Sequence, residues 1–178
     1  MGRKPYLAAI AAAVALIAGA VIYGRTHTTA VSAPMVVSAT SISGRIPALS
    51  APTLSGGRVS LAAARGKPML INFFAYWCDP CNQEAPVLAR LGRRFGSRIT
   101  MLAVSTDPAR AKTVAFAHRY GWNWPIVMDG SLAWSTAFQI TGQPWTFLVN
   151  RNGEIVWKHP GAISAQAVTA AINRLLHT

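Results

Sequence analysis

Both cysteines of this 178-residue chain lie in one short stretch, Phe73-Phe74-Ala75-Tyr76-Trp77-Cys78-Asp79-Pro80-Cys81, with two residues between them. Closing Cys78 to Cys81 makes a loop of about four residues, and the chain-entropy gain from a cross-link grows with loop length, so stapling would add little stability. Three other uses remain: a metal site, a haem attachment, or a dithiol that cycles between reduced and oxidised forms. Haem attachment needs His directly after the second Cys, where Asn82 stands. A structural zinc site needs four ligands, and His27, His118, His159 and His177 are scattered singly, so no metal is expected. A redox dithiol needs one sulfur with thiolate character. A helix N-terminus supplies it through free backbone N–H groups and the positive end of the macrodipole.

The surrounding elements build that situation. Met69 to Phe74 is a nearly continuous apolar run, the pattern of a strand buried on both faces. Downstream, Ala85, Leu88, Ala89 and Leu91 recur at helical spacing through Phe95, and Gly96 closes the segment. Cys78 thus falls where a central strand turns into a helix. Pro80 fits the first helical turn, where a missing N–H costs nothing. Pro86 removes a bond inside the helix and should kink it near Asn82.

Around this unit the pattern places an N-terminal hairpin (48–54 with 58–61), a strand at 99–104 and a helix from Asp107-Pro108 to Tyr120, with Asp107 as N-cap and Gly121 as stop. A short strand at 125–128, a short helix at 132–138, a strand at 145–150, a turn into a strand at 154–157 and a helix at 165–176 follow. Strands alternating with helices make an α/β domain with a central mixed β-sheet.

Asn72 to Cys81, with Glu84 and Pro86, and Gly142-Gln143-Pro144 ahead of Trp145-Thr146-Phe147-Leu148-Val149-Asn150, resemble the thioredoxin superfamily, and within it the membrane-anchored TlpA, ResA and CcmG/DsbE group. The likeness runs from about Arg45 to the C-terminus. It implies a thioredoxin-like fold with the added N-terminal β-hairpin. It further implies that Cys78 is the nucleophile and Cys81 the resolving thiol, so that a redox-active disulfide serves in place of a cofactor. Glu84, one turn after Cys81 on the same face, is implied in proton transfer at the dithiol, which needs a raised pKa. Asn72 stands where thioredoxin has a buried Asp, while Asp79 and Pro80 occupy the positions that tune the couple. Pro144 is expected to be cis, setting the Gln143 backbone against the cysteines to receive a substrate strand. Gln143 departs from the usual Val, Ile or Thr. Trp77 is expected over the sulfurs; Tyr76 and Trp145 fit either a partner-facing rim or ordinary fold positions.

Seventeen Lys and Arg against five Asp and Glu give a net charge of +12. Such a balance can signal nucleic acid. No clustered basic run with interleaved aromatics occurs, so a basic face toward anionic lipid or an acidic partner is the better reading. At the N-terminus, Arg3-Lys4 precede an uncharged apolar run from Leu7 to Tyr23, which as a helix would span roughly 26 Å against a bilayer core of about 30 Å. Residues 1–25 therefore read as a membrane anchor or signal segment, 26–44 as a polar tether, and 45–178 as the thioredoxin-like domain. The basic start puts the N-terminus inside and the domain in the periplasm or another extracytoplasmic space. A secreted form after signal cleavage is the alternative.

The function expected is a thiol:disulfide oxidoreductase that acts on protein thiols and disulfides with a membrane electron donor or acceptor. Reduction of exported proteins such as apocytochrome c is favoured over disulfide formation. A Sco-like copper carrier would use CxxxC with a downstream His, and a thiol peroxidase a Thr shortly before its Cys in a Pro-led motif. Neither pattern is present.

Overall fold

The computed structural model describes residues 44–63 and 66–177, so the expected anchor and nearly all of the tether lie outside the described residues. No described helix is long and apolar enough to cross a membrane.

Among the described residues, eight strands and four helices alternate. They are β1 (Gly44–Arg45), β2 (Ser50–Pro52), β3 (Arg58–Ser60), β4 (Met69–Phe74), α1 (Asp79–Phe95), β5 (Thr100–Ser105), α2 (Arg110–Tyr120), β6 (Ile126–Met128), α3 (Ala133–Ala137), β7 (Trp145–Val149), β8 (Glu154–Pro160) and α4 (Ala165–His177). Six strands form one mixed sheet in the order β1-β8-β7-β4-β5-β6, and β2-β3 make the separate N-terminal hairpin. In the main sheet β4, β5 and β6 are parallel, whereas β7, β8 and β1 are successively antiparallel. This is the α/β architecture that the sequence pattern implies.

All six residues of β4 are buried, and their alternation divides the core in two. Leu70 and Phe74 point into a cluster with Ala85, Leu88 and Phe95 of α1 and Val168, Ile172 and Leu175 of α4. Met69, Ile71 and Phe73 face the opposite cluster, with Trp134 of α3 and Phe138. Asn72, at the centre of the strand, keeps the parity of Leu70 and Phe74 and is therefore carried under α1. The hairpin leans on the outer strand through a Thr53–Val127 bridge and a hydrogen bond from the Leu54 N–H to the Ile126 carbonyl.

Three local expectations are corrected. Helix α2 starts at Arg110 with Ala109 at its cap, not at Pro108. The Asp107 carboxylate still accepts the Ala109 N–H (2.7 Å), but as a turn ahead of the helix, because its second oxygen is engaged elsewhere. Strand β8 continues past Trp157 to Pro160, whose partner is Trp145. Gly44, read as tether, pairs with Ile155 as part of an edge strand. Gly121 does stop α2: at φ 67 it is left-handed and its N–H reaches the Ala117 and His118 carbonyls. Helix α1 runs unbroken through Pro86.

Because α1 and α2 each connect one parallel strand to the next, both run from the carboxyl edge of the sheet, where β4 and β5 end, back to the amino edge. The cysteines sit at the carboxyl edge.

Candidate active site

Cys78 is the N-cap of α1, in extended conformation (φ −78, ψ 114), and its Sγ accepts the backbone N–H of Cys81 at 3.2 Å. The two cysteines form a disulfide with their Cα atoms 5.2 Å apart. Cys78 is 5 % and Cys81 1 % exposed, so Cys78 is the more accessible residue of the two. The turn into the helix is held by Asn82, a residue that sequence reasoning passed over. Its Nδ2 donates to the carbonyls of Tyr76 (3.0 Å) and Cys78 (2.9 Å), and its Oδ1 accepts from the Tyr120 hydroxyl (2.9 Å).

The Gln143–Pro144 peptide is cis, and the Gln143 carbonyl oxygen lies 3.7 Å from Cys78 Sγ. Trp77, expected over the sulfurs, presents much of its ring to solvent. It is 57 % exposed, and its indole N–H donates to Asp107 Oδ2 at 2.8 Å, the engagement that shifts the start of α2. Tyr76 and Trp145 are half-buried and pack against the two core clusters, Trp145 stacked on Phe147. Asp79 and Pro80 are exposed in the first turn of α1.

Below the disulfide, Glu84 is 1 % exposed. Its Oε1 accepts from Asn72 Nδ2 (2.7 Å) and its Oε2 from the Ile163 N–H (3.0 Å). Burial pushes its pKa up from 4.5 to about 7, against the lowering effect of the two hydrogen bonds. Asn72 also donates to Thr146 Oγ1 (3.1 Å), while its Oδ1 has no partner among the described residues. Spacing alone set Glu84 near Cys81. Ile163 and Thr146 gave no local signal, because they arrive from strands and loops far along the chain. Among the described residues no group of three His, Cys, Asp or Glu side chains is arranged to hold a metal ion.

Residues 42–158 match the family model described as the AhpC/TSA family. The chain belongs to that family. Its AhpC/TSA relatives include the thioredoxin-like protein YneN of Bacillus subtilis, 32 % identical over 121 residues that make up 66 % of this chain and 71 % of YneN. The thiol-disulfide oxidoreductase ResA of the same organism is 29 % identical, with 67 % of each chain covered. Among solved structures, a thiol-disulfide oxidoreductase from Bacteroides fragilis superposes with a TM-score of 0.66 at 26 % identity, covering 74 % of this chain and 99 % of that one. A thioredoxin family thiol:disulfide interchange protein from Chlorobium tepidum gives a TM-score of 0.69 at 24 % identity over 76 % and 97 %, a likeness of fold. The fold is thioredoxin-like, and the chain is an AhpC/TSA-family thiol-disulfide oxidoreductase.

Proposed function

We propose that Cys78–Cys81 is the working couple and that it operates as a reductant of protein disulfides outside the cytoplasm, with apocytochrome c among the substrates in view. The observation that carries the reductive direction is the setting of Cys78 Sγ. The Gln143 carbonyl oxygen at 3.7 Å turns the negative end of its dipole to it, and the next residue is the carboxylate Asp79; both disfavour the thiolate and so favour the disulfide product. The Cys81 N–H and the helix dipole act in the opposite sense, so the poise is a balance of nearby groups.

In the reduced protein the Cys78 thiolate attacks one sulfur of the partner's disulfide, forming a mixed disulfide and releasing one partner thiolate. Cys81 then loses its proton to the Glu84 carboxylate and attacks Cys78 Sγ, which expels the second partner thiolate. Two electrons have passed to the partner, and Cys78–Cys81 is left oxidised. A donor in the membrane, working through its own dithiol, restores the reduced pair. A carboxyl with a pKa near 7 suits the proton step, because it is neither fully ionised nor fully protonated at neutral pH. Trp77 and the Gln143–Pro144 segment form the edge that receives the partner. The N-terminal run would hold the domain at the cytoplasmic membrane.

The reduction potential of the couple, equilibrated against glutathione or dithiothreitol buffers, tests the direction. Thioredoxin lies at about −270 mV and the strong oxidant DsbA at about −120 mV. A value near or below that of thioredoxin supports reduction, and one near DsbA replaces it with disulfide formation.

A further inference from the structure

The charges of the domain are sorted by the fold. Four of the five carboxylates, those of Asp79, Glu84, Asp107 and Asp129, belong to the half of the domain at the carboxyl edge, with the cysteines. The amino edge, about 25 Å away down the 17 residues of α1, is cationic. A chain of contacts runs across it. Arg45 donates to the Asn152 carbonyl (3.4 Å), the Gly66 N–H to the Arg151 carbonyl (2.9 Å), and Lys67 Nζ to the Gly96 carbonyl (3.4 Å). Beyond Gly96, the guanidinium groups of Arg94 and Arg98 each lie 5.0 Å from the Phe95 ring centroid, with Arg93 exposed beside them. Helices α2 and α4 end at the same edge, bringing Arg119 and Arg174. Among the described residues the single Asp or Glu side chain there, Glu154, is engaged by Asn150 Nδ2 at 2.7 Å.

Cations in the last turn of a helix complement its dipole. That accounts for one or two residues per helix and not for Arg45, Lys67 and Arg151, which sit on an edge strand and on turns. We infer that the amino edge is a docking face for an anionic phospholipid surface, which turns the Cys78–Cys81 end outward from the bilayer. Charge complementarity supports lipid, and so does the entry of the chain: Gly44–Arg45, the first described residues, are at this edge. The uncharged stretch from Thr26 to Ser43 that precedes them can extend to at most about 60 Å, so the edge can reach the membrane in which the run Leu7–Tyr23 is expected to lie. The inference stands whichever way electrons flow.

Hydrogen–deuterium exchange on the full chain, with vesicles of phosphatidylcholine alone or of an equal mixture with phosphatidylglycerol, tests it. Slower exchange in 93–98 and 150–153 only with the anionic lipid, reversed at about 1 M salt where the Debye length falls to about 3 Å, is the expected result. The triple variant Arg93→Gln, Arg94→Gln, Arg98→Gln should weaken the docking of this face on the order of a hundredfold, about fivefold for each cation lost, and so abolish the protection at 150–153 on the anionic vesicles while the chain stays bound to them. Arg151→Gln alone should weaken it about fivefold, read as reduced protection at 93–98, which keeps the test open if the triple variant does not fold, whereas Lys112→Gln, at the cysteine end, should have little effect. Equal exchange with both lipids, protection centred on 77–82, or undiminished protection of the amino edge in the folded Arg variants would overturn the inference.

Discussion

Replacing Glu84 by Gln should leave stability nearly unchanged in acid and raise it above neutral pH. The carboxyl is raised from 4.5 to about 7 in the folded chain because burial penalises the ionised form. A raised acid binds more protons folded than unfolded, so its stabilising contribution is complete below about pH 4.5 and is lost as pH rises through about 7. A rise of roughly 2.5 units, at about 1.36 kcal/mol per unit, amounts to about 3 kcal/mol across that window. Gln has the same shape and no charge. Turning the Asn72 amide presents its Oδ1, otherwise without a partner among the described residues, to the new Nε2–H, and the Ile163 N–H keeps an acceptor. The variant should therefore match the wild type near pH 4.5 and exceed it by up to about 3 kcal/mol near pH 8.5. Urea unfolding of both oxidised proteins at each pH, with equal m-values as a check, measures the difference. A gap between the two proteins that stays constant over the window would refute the assignment of a buried, raised carboxyl. A gap that widens toward acid would reverse its sign.

Two further substitutions test the packing of α1 and the hold on Trp77. Gly92→Ala adds a Cβ that would fall 2.6 Å from Trp124, a ring already stacked on Trp122, so overpacking of about 1–3 kcal/mol should outweigh the helix-propensity gain of about 1 kcal/mol. A net rise in the urea midpoint would contradict that packing. Asp107→Asn should loosen the grip on the Trp77 indole, raising KM for a protein disulfide a few-fold with kcat little changed; an unchanged KM would remove Trp77 from the docking edge.

What could be read from the sequence follows the range of the interactions. The burial of Asn72 was legible because it interrupts an apolar strand, and the cap position of Cys78 because strand, turn and helix meet within ten residues. The approach of Gln143 to the sulfurs came from resemblance, since no local pattern joins residues sixty-five apart. Asp107-Pro108 was misread because a strong cap signal was weighed without its competitor: Trp77, thirty residues earlier, takes one carboxylate oxygen. Strand β8 was cut short because Lys158, His159 and Pro160 look polar and strand-breaking, yet their backbone continues the pairing begun at Ile155. The donor to Glu84 from Ile163 had no signal of any kind, being a main-chain N–H whose residue type does not matter.

That N–H reaches back 79 residues to the buried Glu84 carboxylate. Chains are made from the N-terminus, so both thiols emerge long before Ile163 does. A nascent chain thus carries two thiols and no enclosed acid, and Glu84 in water would keep the acidity of an ordinary side chain. Only when the C-terminal segment closes over α1 does the acid acquire its setting. Completion of the fold is in this way the step that gives the Glu84 carboxyl its raised pKa, and a truncated chain would retain its thiols without it.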